Sequence, residues 1–204
     1  VQQKLERFNV AGSSSLKRPL AGVREGRSDV VEKMDINQGK LCLGCRSDVT
    51  IFAGDYHGFA VMNSILGGGT HSKLFNEVRE KNSLAYYSYS FIEKFKGLLM
   101  IASGIDFDNF EKARDICIEQ IGKMKAGEVS EYELKSAKKK LISDLKTVSD
   151  SQYTLIDYIS TLRAYGISYN IEDIIGEIDE VTLDRVVKCA NSIELNTIYY
   201  LTKQ

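Results

Sequence analysis

A chain of 204 residues, 43% hydrophobic and 27% charged, is long enough to bury a core and has the composition of an ordinary globular domain. Its formal net charge of -1 and pI near 6.2 lack the basic excess of a nucleic-acid or membrane-surface binder, so neither partner is expected. Cys42, Cys45, Cys117 and Cys189 make no disulfide framework in a chain this long, which points to a reducing, cytoplasmic setting; the longest apolar run, Gly97–Ala102, is strand-sized and too short for a membrane span.

The chain opens on Val1, with no signal-like segment, as expected of a piece of something longer. Residues 1–37 show little periodicity and hold the only proline, Pro19, the Ser13-Ser14-Ser15 run and the basic residues Lys17, Arg18, Arg24 and Arg27. They are expected to form a solvated connector with one short helix at its start. From Gly39 the pattern changes, and Leu41, Leu43 and Cys45 alternate as in a strand. Residues 55–66 carry Tyr56, Phe59, Ala60 and Leu66 at helical spacing and stop at Gly67-Gly68-Gly69. A second short helix is predicted over 71–80, with Leu74, Phe75 and Val78 on one side.

Strands follow at 85–91 and 97–104, joined by a turn at Glu93-Lys94-Phe95-Lys96. Asp106 opens a helix with Phe110, Ala113, Cys117, Ile121 and Met124 in steps of three and four, and Gly127 ends it. Ser130 and Glu133 form a capping-box signature for a helix running to about Val148. Its lysines, Lys135, Lys138, Lys139 and Lys140, sit near Glu131, Glu133 and Asp144, the pattern of a solvated helix face. Helices are predicted over 151–164, 171–177 and 182–191, and a last strand over 197–201. Helices clustered between strands of one sheet give an α+β fold for residues 38–204: a two-layer domain, its mostly antiparallel sheet packed against several helices.

Most residues that could carry chemistry have a plainer reading. Cys42 and Cys45 form a C-x-x-C, but on a strand residues three apart face opposite sides, so strand packing is favoured over a metal or redox pair. His57 and His71 fit neither H-E-x-x-H nor H-x-x-E-H, and are expected at the surface or at helix ends. Gly67-Gly68-Gly69-Thr70 lacks the following Lys of a P-loop and lies between helices, where it allows backbone or ligand to approach closely. Arg79 ends a short helix and Tyr86 opens the next strand. Seven residues apart across a turn, their heads can meet in one cleft as donors to a carbonyl oxygen.

The stretch from Ile65 to Tyr86, with Leu66-Gly67-Gly68-Gly69, Leu74-Phe75, Arg79-Glu80-Lys81 and Leu84-Ala85-Tyr86, closely resembles the signature in the C-terminal half of pitrilysin/insulinase-family zinc peptidases, of the processing-peptidase type. The resemblance continues at Gly104–Asp106, Glu133–Lys138 and Val181-Thr182, while Gln38-Gly39-Lys40-Leu41 looks like a bacterial subgroup that pairs with a zinc-carrying paralogue. It implies a domain that is one of two repeats closing around a peptide. Zinc sits in the other half or in a partner subunit, and no metal is held here. Arg79 and Tyr86 then bind the scissile carbonyl and its oxyanion, with Gly67, Gly68 and Gly69 as further substrate-binding residues. Tyr87 is adjacent, and strand alternation is expected to turn it to the opposite face from Tyr86. No H-x-x-E-H is present, so the chain alone is not expected to cleave peptides. The rival expectation is a non-catalytic scaffold subunit of a peptidase-like complex.

Overall fold

The computed structural model describes residues 26–204 except 165, 168 and 169, so the short helix expected at the start lies outside the described residues. Strand β1, Ser28–Met34, lies within the stretch expected as a connector. It shows no alternation because it is an edge strand with most of its residues exposed, and it pairs in parallel with the last strand, Ser28 opposite Thr197 and Met34 opposite Lys203. Strand β2, Gly39–Arg46, buries Leu41, Leu43 and Cys45 and leaves Lys40 in solvent, the period-2 pattern of a half-buried strand.

Helix α1, Tyr56–Gly67, starts where the Asp55 carboxylate accepts the Gly58 amide at 2.8 Å. Its residues Phe59, Met62, Ile65 and Leu66 are fully buried. The predicted second helix is a π-helical segment, Phe75–Lys81, anchored by the buried Val78. Strands β3, Ala85–Glu93, and β4, Leu98–Ile105, form the expected hairpin. Its turn needs Gly97 at φ 66, where a Cβ would overlap the Ser47 carbonyl oxygen.

After a 3-10 turn at Phe107–Asn109 come α2, Phe110–Ala126, and α3, Glu131–Asp150. Helix α2 ends at Gly127, which is left-handed at φ 77. Helix α3 carries the predicted capping box: the Glu133 amide donates to Ser130 Oγ and the Ser130 amide to Glu133 Oε2. Helices α4, Gln152–Ala164, α5, Ile171–Asp179, and α6, Leu183–Asn191, precede strand β5, Glu194–Lys203.

The five-stranded sheet has the order β1-β5-β2-β4-β3, antiparallel except for β1 with β5. One core fills the space between sheet and helices. Leu41, Leu43, Leu99, Ile101 and Ile198 meet Phe59, Met62, Ile65, Cys117, Met124 and Val186 there. The alternate residues Tyr87, Tyr89 and Phe91 of β3 remain exposed, with neighbouring rings 5.7 and 6.1 Å apart. The result is the α+β architecture expected.

Candidate functional site

Arg79 lies in the π-helical segment. Its guanidinium sits 4.9 Å from the Phe75 ring centre, one turn back, and 3.7 Å from Glu80 Oε1. The wider π winding lets the Asn82 side chain donate to the Glu77 carbonyl at 2.8 Å, and such windings recur at functional sites. The chain then turns sharply. Ser83 takes φ 52, a costly conformation for a residue with a side chain, and the Leu84 amide donates to the Val78 carbonyl at 3.0 Å.

This turn delivers Tyr86 to the first residues of β3. The ladder with β4 pairs Ala85 with Ile105 and Tyr87 with Gly104, leaving Tyr86 as the extra residue of a β-bulge. Tyr86 is 62% exposed, and its hydroxyl donates to Asp106 Oδ1 at 3.1 Å. That bond to Asp106 raises the phenol pKa above its ordinary value. Arg79 and Tyr86 line one cavity of about 420 Å³ with Glu80, Ser83 and Asp106. The arrangement presents two hydrogen-bond donors, one cationic, to an oxygen entering that cavity.

The bulge also changes the expectation for Tyr87. Strict alternation would turn it to the opposite face, but the extra residue leaves Tyr86 and Tyr87 both exposed. The Tyr87 ring lies over Gly104, where a Cβ would overlap it.

Gly67, Gly68 and Gly69 are not among the residues lining the Arg79–Tyr86 cavity. Gly67 ends α1 against β3, where a Cβ would overlap the Ser90 amide nitrogen. At Gly68 a Cβ would overlap Ser64 of the preceding turn, and at Gly69 it would make ordinary contacts with the His71 ring at 3.4 Å and Lys140 Cε at 3.8 Å. The first two glycines are therefore explained by packing.

The remaining chemistry-bearing residues do not fit a zinc site. His57 opens α1, 3.8 Å from Glu177, and His71 lies beyond its end, 3.4 Å from Ser64 Oγ. Burial lowers the pKa of both imidazoles. Cys42 and Cys45 point to different environments, one part-exposed and one buried, and burial pushes the Cys45 thiol to about 12. Among the described residues no group of three or more His, Cys, Asp or Glu is placed to hold a metal ion, and no helix is long and apolar enough to cross a membrane.

Two polar features escaped the sequence reading. Asp106 looked like a helix-opening residue, yet its carboxylate makes no cap bond and is turned to Tyr86 instead. Arg185 binds Asp55 through two hydrogen bonds of 2.7 and 2.8 Å, beside a second cavity of about 620 Å³ that includes His57, Tyr158 and Glu177. Neither pairing has a sequence signal, because the partners lie 20 and 130 residues apart.

A family model described as the peptidase M16 inactive domain matches residues 3–141, beginning inside the stretch expected as a connector. A probable inactive metalloprotease of Bacillus subtilis, YmfF, is 40% identical over 173 residues, covering 85% of this chain and 41% of that protein. An uncharacterized zinc protease of the same organism, YmxG, is 26% identical over 77% of this chain and 39% of its own length. A conserved protein from Enterococcus faecalis superposes with a TM-score of 0.85 at 27% identity, covering 90% of this chain and 44% of that one. The peptidase M16 inactive domain from Pseudomonas fluorescens shares the fold, with a TM-score of 0.74 at 20% identity over 88% of this chain and 44% of that one. This chain thus spans about two-fifths of the length of the curated relatives it matches. With the model and the 40% identical relative both covering most of it, the chain belongs to the peptidase M16 family as a domain of the inactive type.

Proposed function

We propose that this domain is the substrate-holding, zinc-lacking half of a zinc metallopeptidase, and that Arg79 and Tyr86 donate hydrogen bonds to the scissile carbonyl and its oxyanion. The observation that carries this reading is the shared cavity: a guanidinium and a phenol, brought together by a strained turn and a bulge, both open to solvent. Donors held beside the place where charge develops stabilise that charge more than they bind the uncharged carbonyl. Strand β3 is an edge of the sheet, so an extended peptide pairing with it would run past Tyr86.

Zinc and the water it activates belong, in this reading, to the other half of the longer protein or to a separate zinc-carrying paralogue, and the assembly is cytoplasmic. The lack of a side chain at Gly67 and Gly68 is explained by packing without a substrate contact.

The test is steady-state kinetics of Arg79→Ala and Tyr86→Phe in the complete assembly. Each is expected to lower kcat by about 10²–10³-fold, as removing one oxyanion donor does. Unchanged kinetics for both would sink the reading. They would favour the second one, a non-catalytic scaffold, which the name of the 40% identical relative supports. A scaffold would still be required for assembly while both substitutions stayed silent.

A further inference from the structure

Asp106 holds the position at which an aspartate ordinarily caps the following helix. Its backbone carbonyl does accept the Asn109 amide at 3.0 Å, but its side chain makes no cap hydrogen bond. The carboxylate turns back across the end of the hairpin and accepts the Tyr86 hydroxyl. A phenol this exposed, on a residue outside the ladder, keeps its rotamer freedom unless something holds it.

We propose that Asp106 is a positioning residue for Tyr86: it holds the phenol proton at rest, keeps the ring at the Arg79 cavity, and yields the proton to a substrate oxygen as negative charge develops there. The proposal rests on the reading of Tyr86 as a carbonyl donor.

The geometry suits a hold that can be released. The 3.1 Å separation is longer than the roughly 2.5–2.7 Å of a strong hydroxyl–carboxylate bond. A ground-state carbonyl is a weaker acceptor than a carboxylate and does not displace Asp106. An oxyanion competes on equal terms, so the exchange favours the transition state. A phenol is protonated at neutral pH and the bond to Asp106 raises its pKa further, so Tyr86 is a donor and not a base. Arg79 is not held in this way: its guanidinium lies 3.7 Å from Glu80, beyond hydrogen-bond distance.

The experiment uses the full-length protein assembled with its zinc-bearing half and an internally quenched peptide as probe. Asp106→Ala and Asp106→Asn are made alone and together with Tyr86→Phe, with melting temperatures measured throughout. Asp106→Ala is expected to lower kcat about tenfold, the middle of the range for contacting residues, with KM nearly unchanged. Asp106→Asn keeps an acceptor oxygen and should recover most of the loss. With Tyr86→Phe in place, Asp106→Ala should cost nothing further. Equal losses in both backgrounds, or no loss from Asp106→Ala with Tyr86 intact, would overturn the proposal.

A second readout needs no turnover: ring-labelled tyrosine NMR in the same preparation. Asp106→Asn should bring the Tyr86 titration down toward about 10, the ordinary phenol value. An unmoved titration overturns the proposal whatever the kinetics. If Tyr86→Phe itself leaves kcat unchanged, the carbonyl-donor reading fails, and the positioning role fails with it. A normal loss on Tyr86→Phe with a silent Asp106→Ala overturns the positioning role alone.

Discussion

Tyr86 stands in solvent because β3 has one residue more than β4 opposite it. At the far side of the fold, Asp55 does two jobs with one carboxylate, accepting the Gly58 amide at the start of α1 and two bonds from Arg185 on α6. Arg185 first, then the Gly58 amide, hold the Asp55 carboxyl below its ordinary range against the cost of burial. The sign follows from linkage. The folded value lies below the unfolded value of about 3.9, so the stabilisation is complete above that pH and is lost as pH falls through the folded value. Urea unfolding at pH 7 and at pH 3 should therefore show the native chain losing more stability than Asp55→Asn, which starts lower but has no Asp55 titration to lose. Equal losses would show that Arg185 does not bind Asp55 in solution. The Arg79 and Tyr86 substitutions belong to this scale too, and their expected cost is in kcat and not in melting temperature, because both side chains are exposed.

At the scale of single elements, local signals decided starts and stops. The Ser130–Glu133 box opens α3 as predicted, and Ser130→Ala should cost about 1 kcal/mol in urea unfolding by orphaning the Glu133 amide. Gly67 ends α1 for a reason the sequence only half shows. A run of glycines marks a stop, but the need for this one comes from Ser90 on β3. Gly67→Ala should destabilise by about 1–3 kcal/mol, the cost of overpacking a filled site, and a silent substitution would mean α1 can pull back from the sheet. The π winding of 75–81 was out of reach of pattern reading. Leu74, Phe75 and Val78 are compatible with α or π winding, and the segment ends with the Leu84 amide donating to the Val78 carbonyl.

For the whole molecule, the sheet is assembled from distant pieces. Among the described residues strand β1 pairs only with β5, about 170 residues later, and none of its residues is buried, while β2 lies between β5 and β4 with one face in the core. Native-state hydrogen exchange should release the β1 amides first and hold those of β2 longest. Uniform protection across the sheet would mean that β1 is locked by contacts beyond its pairing with β5.

What the sequence determined by itself is what neighbours along the chain can decide. The alternation of Leu41, Leu43 and Cys45, the helical spacing from Phe110 to Met124, the Ser130 cap and the Gly127 stop are all local, and the Arg79–Tyr86 spacing is legible in the same way. The tertiary structure decided the rest. It turned an apparent connector into β1, bulged β3 so that Tyr86 and Tyr87 are both exposed, assigned Gly67 to packing, and set Asp106 against Tyr86. Each of these depends on a partner many residues away, and neither propensity nor periodicity carries information about which distant backbone or carboxylate will be there.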